Sequence, residues 1–334
     1  MVQFQIMSQR ITLFLFICLI SIHLSAQSYA EKLGFPADAK VLILHVDDVG
    51  MSYESNKGAI EAMENGVASS VSMMMPCPWI PGFFHYLKKH PEVDAGLHLT
   101  LTSEWEDYRW GPLMGKPNVP GLVDVEGAMW PSVQETATHA SPDEIEKEIR
   151  AQLERSRTMG WEPTHMDSHM GTLFARPDYL ERYLKVGMEE GIPVMFPGGH
   201  NTMILETTSA TGLTKEMTTM IGQKLWQAGL PVLDDLHNVS YDWKGDDSMD
   251  EATLQAYKTN LYISSIEKLK PGLTMVIMHC TWPTEVFPNI SNSTTTRRGD
   301  MLAMIDPKLS DYIQKNNIII TTWREIAKRR KALK

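Results

Sequence analysis

Short apolar runs alternate along the chain with longer segments in which apolar residues recur every three or four positions. The run at residues 41–46 is almost entirely aliphatic and ends at two aspartates. The next segment, 56–65, places its apolar residues on one face of a helix and ends at Gly66. Apolar runs without polar alternation are typical of strands buried on both faces of a parallel sheet. The pattern therefore predicts alternating strands and helices.

Capping residues mark where several helices begin. Ser141-Pro142-Asp143-Glu144 combines an N-cap, a proline at the first helical position and an acid at the third, which predicts a helix from there to Met159. Ser248 with Glu251 predicts the cap of another helix, which ends near Leu269. The other predicted elements are helices at 177–190 and 324–334, and strands at 71–75, 93–99, 164–167, 193–196, 231–233, 273–278 and 318–322.

Together these elements predict an α/β fold. Seven or eight mostly parallel strands, separated by helices, favour a single (β/α)-barrel domain over 31–334 rather than an open doubly wound sheet. No Gly-x-Gly-x-x-Gly or phosphate-binding loop follows the first strand, which argues against a nucleotide-binding sheet. Residues 103–140 are rich in Trp, Gly and Pro without periodicity, so we expect a long loop over the site.

The N-terminal residues have the pattern of a targeting segment. Arg10 precedes the apolar run 11–24, and small and polar residues follow it up to Ala30. A short positive region, an apolar stretch of about 7–15 residues and a small-residue exit are typical of a secretory signal peptide. We expect 1–26 to be removed, with cleavage as late as Ala30, and a secreted or periplasmic protein without stable membrane insertion. An uncleaved anchor is the alternative.

Composition narrows the class of protein further. The chain has 334 residues, of which 43% are hydrophobic and 22% charged, which excludes disordered, collagen-like and coiled-coil proteins. The formal net charge of -10 and the lack of a long basic run argue against nucleic acid as a partner. Beyond the predicted signal peptide only Cys77 and Cys280 remain. Two cysteines do not make a disulfide framework, so we expect two small buried residues.

Ionisable residues cluster at the predicted carboxyl ends of the strands. In a parallel barrel these ends converge on one face, where the catalytic loops lie. A mixture of imidazoles and carboxylates suits a divalent metal ion that keeps open positions for water. The residues concerned are Asp47, Asp48, His98, His165, Asp167, His169 and His279.

Their spacing restricts what each residue can do. Asp47 and Asp48 are adjacent, so on a regular strand they point to opposite faces, and they need either different roles or a bend. His165, Asp167 and His169 alternate, so they share one face of an extended segment. For the first two, orienting a metal ligand is as reasonable a role as ligation. The remaining histidines lack such a placement and are interpreted as structural or surface residues: His45, His85, His90, His139, His200 and His237.

Four segments together resemble the YdjC/ChbG carbohydrate deacetylases. They are Val46-Asp47-Asp48-Val49-Gly50, Gly96-Leu97-His98-Leu99, Pro163-Thr164-His165-Met166-Asp167-Ser168-His169, and the late strand that ends Ile277-Met278-His279. The resemblance covers most of the chain from about residue 40, in order and spacing, although His45-Val46 stands where the family usually has Asn-Ala. It implies a distorted (β/α) barrel that uses a divalent metal ion to remove acetyl groups from N-acetylated sugars. Two histidines and one carboxylate accept Zn²⁺ readily, and Mg²⁺ is the alternative.

The same resemblance implies a role for each matched residue. It makes Asp48, His98 and His169 the metal ligands. It makes Asp47 the general base that takes a proton from water, and His279 a general acid or a group that stabilises the departing amine. The expected reaction is metal-assisted amide hydrolysis, in which His279 protonates the amine as an imidazolium.

Two other interpretations remain open from the sequence. One is a different metallohydrolase on the same barrel, such as a phosphoesterase or an amidohydrolase, because the same ligands would serve it. The other is a non-catalytic secreted carbohydrate-binding protein. In that case Trp105, Trp110 and Trp130 of the long loop would form an aromatic platform for sugar rings.

Overall fold

The fold is built on a parallel sheet, seen in a computed structural model that describes residues 27–207, 214–242 and 245–333. The expected signal peptide, 1–26, lies outside the described residues. Helices follow most strands, as the alternating pattern predicts. The strands are β1 (Lys40–Val49), β2 (Ser70–Met73), β3 (Ala95–Leu99), β4 (Met166–Ser168), β5 (Asp235–Asn238), β6 (Gly272–Met278) and β7 (Ile319–Ile320).

Side-chain caps fix where the helices begin. The capping box predicted at Ser141 is confirmed. The Ser141 hydroxyl accepts a hydrogen bond from the Glu144 N–H, and the Glu144 carboxylate accepts one from the Ser141 N–H. The cap predicted at Ser248 is wrong, because Asp250 caps that helix through the Thr253 N–H. The α-helices of the described residues are α1 (Tyr29–Lys32), α2 (Tyr53–Glu64), α3 (Ile80–Leu87), α4 (Val133–His139), α5 (Pro142–Thr158), α6 (Pro177–Glu190), α7 (Thr202–Thr207), α8 (Lys215–Gln227), α9 (Glu251–Lys268), α10 (Thr294–Met304), α11 (Pro307–Lys315) and α12 (Trp323–Ala332).

The sheet is parallel throughout and has β1 at its centre. Its order is β4-β3-β2-β1-β6-β5, and β7 pairs with the first half of β1. The α/β prediction is confirmed, but a complete barrel of seven or eight strands is not. Between β4 and β5 the described residues show only isolated bridges, from Met166 to Val194 and from Pro197 to Leu233. The segments expected as strands at 193–196 and 231–233 therefore form isolated bridges and no regular ladder, and Pro197, at the second bridge, has no N–H with which to extend the pairing.

The long segment predicted over the site is largely irregular. Over 103–140 it contains α4 and one short 3-10 turn, Pro120–Leu122. Glu148 of α5 holds this segment against the helix. The Glu148 carboxylate accepts hydrogen bonds from the N–H groups of Leu113 and Met114, each at 3.0 Å. Trp110 packs into a small cluster at the ends of β1 and β2.

Two further expectations from the sequence concern the two cysteines and insertion into a membrane. Cys77 and Cys280 are both buried and unpaired, as expected. Within the ranges that the structure describes, no helix has both the length and the apolar character needed to cross a bilayer.

Candidate metal centre and active site

The paired aspartates both reach the site because β1 bends between them. Asp48 has a φ of +64°, in the left-handed region that most residues avoid. The pairing of β1 with β2 shifts register between Val46 and Val49, which is the signature of a bulge. As a result Asp47 and Asp48 line the same cavity. The sequence required either different roles for the two aspartates or a bend in the strand, and the structure has the bend.

Three buried side chains bring one donor atom each to a common point. Asp48 Oδ1 lies 3.3 Å from His98 Nε2 and 3.3 Å from His169 Nδ1, and the two nitrogens are 3.2 Å apart. These distances match the edges, about 3.3 Å, of a tetrahedron whose centre lies about 2.0 Å from each donor, the usual Zn–N length. Asp48 Oδ1 is also buried without a hydrogen bond of normal geometry. The three residues therefore fit one small divalent ion.

Neighbouring charges hold the two imidazoles in the orientation that ligation needs. His98 Nδ1 lies 2.7 Å from Asp167 Oδ1, which leaves Nε2 facing the common point. His169 Nε2 lies 3.1 Å from Glu104 Oε2, which leaves Nδ1 facing it. Partners of this kind fix the ring orientation and raise the basicity of a metal-binding histidine. His165 stacks on Trp323 instead, with its Nε2 3.6 Å from Asp167 Oδ2.

Asp48 is kept ionised by a buried arginine. Arg297 Nη1 lies 2.5 Å from Asp48 Oδ2, whereas the other oxygen, Oδ1, is the one next to the two histidines. Burial alone would raise the pKa of Asp48, but Arg297, His169 and His98 outweigh that effect and hold the pKa well below its usual value. The carboxylate is therefore ready to bind a cation.

His45 lies behind the paired acids as a second buried cation. Its Nε2 is 3.1 Å from Asp47 Oδ1 and 3.0 Å from Asp167 Oδ2. Its Nδ1 is 3.0 Å from the Ser70 hydroxyl, whose own hydrogen points to the Asp94 carbonyl, so Nδ1 must donate. Burial lowers the pKa of His45, but Asp167 and Asp47 outweigh it and raise the pKa to about 9. An imidazolium thus holds both carboxylates in place.

His279 stands across the site from Asp47. Its Nε2 is 3.9 Å from Asp47 Oδ2, and its Nδ1 is 3.0 Å from Ser240 Oγ. Burial and the nearby Arg297 guanidinium lower the pKa of His279 to about 4. The low pKa favours a neutral ring at pH 7, so His279 has to take up a proton before it can act as the imidazolium donor expected from the sequence.

The site opens into a cavity of about 860 Å³, within the range of small-molecule pockets. Trp105 lines it, whereas Trp110 is buried and Trp130 stacks on His139, so the three do not form the aromatic platform considered from the sequence. Besides the acids and histidines, its lining includes polar groups from Asn238, Ser291, Asn292 and Ser293. The apolar part of the lining, the apolar wall, consists mainly of Phe174, Met195, Phe196, Pro197, Ile204, Leu205, Leu236 and Ile277.

The structure adds residues that the sequence did not single out. His45 precedes Asp47 by two positions on the same strand, so the shared face was a usable signal. Glu104 lies in the aperiodic loop and Arg297 on a late helix, and neither has a pattern that points to the site.

The comparisons with known proteins agree with this geometry. Residues 41–315 match the family model of YdjC-like proteins. The chain belongs to the YdjC-like family. The resemblance inferred from the four motifs is thereby confirmed.

Individual relatives of this YdjC-like protein include enzymes and a solved structure. It is 25% identical over 284 residues to a carbohydrate deacetylase of Thermoanaerobacter pseudethanolicus, covering 85% of this chain and 98% of the relative. It is 33% identical over 135 residues to a chitooligosaccharide deacetylase of Yersinia enterocolitica, covering 39% and 49%. The crystal structure of an Enterococcus faecalis V583 protein named for cellobiose-phosphate cleavage has the same fold, with a TM-score of 0.67, 20% identity, and coverage of 86% and 99%.

Proposed function

We propose that this YdjC-like protein is a carbohydrate deacetylase, a metal-dependent hydrolase that removes acetyl groups from N-acetylated sugars or oligosaccharides. The observation that carries the proposal is the Asp48, His98 and His169 triangle, with Asp47 and His279 beside it in one cavity. The substrate class is supported by relatives named carbohydrate and chitooligosaccharide deacetylases.

Different residues would bind the metal ion and accept the proton. Asp48, His98 and His169 would hold the ion. A divalent ion, when bound, polarises a carbonyl group and makes a nearby water molecule more acidic. Asp47 is held on one side by His45 and by the Ser72 hydroxyl, 3.2 Å from its Oδ1. Its Oδ2 points toward His279, so this oxygen accepts the proton of the attacking water.

The proton that Asp47 takes from water is the same proton that later reaches the leaving nitrogen. Water oxygen bonds to the acetyl carbon as the Asp47 carboxylate takes its proton, and the C–N bond then breaks. The neutral His279 ring, 3.9 Å from Asp47, receives that proton at Nε2 and passes it to the leaving sugar nitrogen. The products are acetate and a free amino sugar. The low pKa of His279 makes it a strong proton donor once charged.

The cavity walls suit a sugar that carries an acetyl group. Pyranose rings present apolar C–H faces, which pack on aromatic and aliphatic side chains, and hydroxyl edges, which need polar partners. Trp105 and the apolar wall supply the first kind of contact, while Asn238, Asn292 and Ser293 supply the second.

Acetate release tests the reaction directly. The protein is incubated with N-acetylated and O-acetylated sugars, chitooligosaccharides included, in the presence of Zn²⁺, Mg²⁺ or a chelator. We expect release that needs a metal ion and an N-acetyl group. Release that persists in chelator, or none from any substrate by folded metal-loaded protein, contradicts the proposal.

Two variants separate the base from the ligands. Asp47→Asn is expected to lower turnover by about 10²–10⁴-fold while binding metal, because it removes only the proton acceptor. His169→Ala removes a ligand and is expected to lose both metal and turnover. Metal content and circular dichroism are measured beside activity. Equal loss of metal in the two folded variants would show that the roles are assigned wrongly.

A further inference from the structure

A fully buried ion pair lies behind His279 and has no part in the reaction proposed above. Lys258 of α9 and Asp300 of α10 are both completely buried, with Lys258 Nζ 2.7 Å from Asp300 Oδ1. The ammonium group also donates to the Ser240 carbonyl, at 2.6 Å, and to Thr296 Oγ1, at 2.7 Å. All three ammonium hydrogens are thus used. A buried pair is tolerated only when its hydrogen bonds are satisfied in this way.

The other oxygen of Asp300 fixes a segment next to the site. Asp300 Oδ2 accepts a hydrogen bond from the His279 backbone N–H at 3.0 Å, and it also accepts the hydroxyl hydrogen of Ser240. A serine hydroxyl has a single hydrogen. Since Ser240 gives its hydrogen to Asp300, its oxygen can only accept from His279 Nδ1, which lies 3.0 Å away.

This chain of hydrogen bonds determines the tautomer of a neutral imidazole. Nδ1 of His279 must carry the hydrogen that Ser240 Oγ accepts. In the neutral ring Nε2 is then without a hydrogen, and its lone pair faces Asp47 Oδ2 and the cavity.

We propose that Ser240 is a positioning residue that fixes His279 in the Nδ1–H tautomer. The buried Lys258–Asp300 pair in turn fixes the direction of the Ser240 hydroxyl. The inference rests on the proposed function, in which Nε2 receives a proton from Asp47 and gives it to the leaving nitrogen. In the opposite tautomer Nε2 has no lone pair to receive that proton, so turnover stops at this step.

The same contacts respond to the charge that forms during turnover. When Nε2 gains its proton the ring becomes an imidazolium, and its Nδ1–H bond to Ser240 strengthens because Asp300 lies behind it. Asp47 and Asp48 also favour the charged ring, whereas burial and Arg297 oppose it. His279 Nε2 therefore holds the proton only briefly before giving it to the leaving sugar nitrogen.

Nuclear magnetic resonance of side-chain ¹⁵N-labelled histidine reads the tautomer without any substrate. His279→Gln assigns the His279 signals by their loss. In the wild-type protein at pH 7 we expect Nδ1 to be of the protonated type and Nε2 of the unprotonated type. In Ser240→Ala the acceptor for Nδ1–H is gone while Asp47 Oδ2 still lies near Nε2, so we expect the Nε2–H tautomer to predominate and kcat to be roughly 10- to 100-fold lower with KM little changed.

Two more variants control for structural effects. Ser240→Thr keeps a hydroxyl and is expected to retain the wild-type tautomer. Ser156→Ala removes an equally buried hydroxyl on α5, one that donates to the Trp161 carbonyl beyond the end of that helix, and is expected to change neither signals nor kcat. An Nε2–H or charged His279 in the wild-type protein, or wild-type signals in Ser240→Ala, overturns the inference. Absence of turnover on acetylated sugars counts against the proposed function alone, because the signals are read without substrate.

Discussion

The two histidines of the triangle face it through different nitrogens, and single residues cause this difference. Asp167 takes Nδ1 of His98, whereas Glu104 takes Nε2 of His169. Each carboxylate leaves the remaining nitrogen as the donor for the ion. Glu104 comes from the long loop, so the loop contributes to the proposed metal centre as well as to the cavity lining.

Glu104→Gln tests this contribution. The amide oxygen still accepts a hydrogen bond from His169 but no longer carries charge, so the ring becomes a weaker ligand. We expect metal affinity to fall by about 10- to 100-fold, and turnover to recover at higher metal concentration. Calorimetric metal titration measures the change. Glu106→Gln, at an exposed acid of the same loop, serves as the control, and equal affinity in both variants would remove Glu104 from the site.

The raised pKa of His45 predicts that the free energy of unfolding depends on pH. Its pKa of about 9 in the folded chain exceeds the ordinary value of 6.5, so its protonated form stabilises the folded state. That contribution is complete below pH 6.5 and is lost as the pH rises through 9. The shift corresponds to about 3 kcal/mol.

Comparison with His45→Asn isolates this contribution from all other titrating groups. The free energy of unfolding in urea is measured at about pH 6 and pH 10, with chelator present. We expect the advantage of the wild-type protein to shrink by about 3 kcal/mol over this interval. An advantage that stays constant with pH would show that His45 is not charged in the folded chain.

Residues at strand ends were predictable from the sequence, including Asp167, which orients His98, but two of their other partners were not. Asp47, His98 and His169 follow or end buried strands, so their convergence follows from parallel topology. Glu104 and Arg297 reach the site from a loop and from a helix late in the chain. No local pattern encodes such a long-range approach, which depends on how the elements pack.

At the scale of elements, the bend at the end of β1 decides which side chains face the cavity. Gly50 follows the bend with a φ of +88°, and a Cβ atom there would lie 2.2 Å from Ile80 Cδ1. Gly127 has the same φ of +88° but open space around it. An alanine would therefore meet similar backbone strain at the two positions but different packing.

This matched pair gives a prediction for β1. Gly127→Ala is expected to cost about 1–2 kcal/mol of unfolding free energy, from backbone strain alone. Gly50→Ala is expected to cost about 1–3 kcal/mol more, because Ile80 must move. Since Asp48 lies two residues away, we also expect weaker metal binding only in Gly50→Ala. Similar losses in both variants would mean that the contact with Ile80 is relieved without cost.

The elements show where local rules suffice. Long amphipathic segments with clear caps, such as α5, fall within a residue of their predicted ends. The cap of α9 was misplaced by two residues, because Ser248 and Asp250 are both good capping residues and only the fold selects between them. The proline-containing segments expected as strands at 193–196 and 231–233 form only isolated bridges.

At the scale of the molecule, the gap in the sheet and the cavity are linked. Met195 and Phe196 lie in the segment that does not pair continuously, and Leu236 lies on β5 at the edge of the gap. All three line the apolar wall. The three side chains are almost fully buried, with exposed fractions of 4%, 1% and 7%, so they belong to the core and border the cavity at the same time. The cavity thus borders the interrupted part of the sheet.

The N-terminal part of the described chain is integrated into the fold. The N–H groups of Tyr29 and Ala30, at the start of α1, donate to the two oxygens of Asp234 at 2.8 and 2.9 Å. The Leu273 N–H of β6 donates to the same carboxylate at 2.9 Å. Tyr29 and Ala30 are both buried. If a signal peptide is removed, we propose cleavage after Ala26, because cleavage after Ala30 would take away part of the core.

Two shortened chains test this proposal, one beginning at Gln27 and one at Glu31. The shorter chain leaves the buried Asp234 carboxylate without two of its donors and exposes the apolar surface that Tyr29 covers. We expect it to lose about 2–5 kcal/mol of unfolding free energy relative to the longer chain. The mass of the protein exported by a bacterial host is expected to correspond to a start at Gln27. Equal stability of the two chains, or an exported form that begins at Glu31, would contradict the assignment and show that α1 is dispensable.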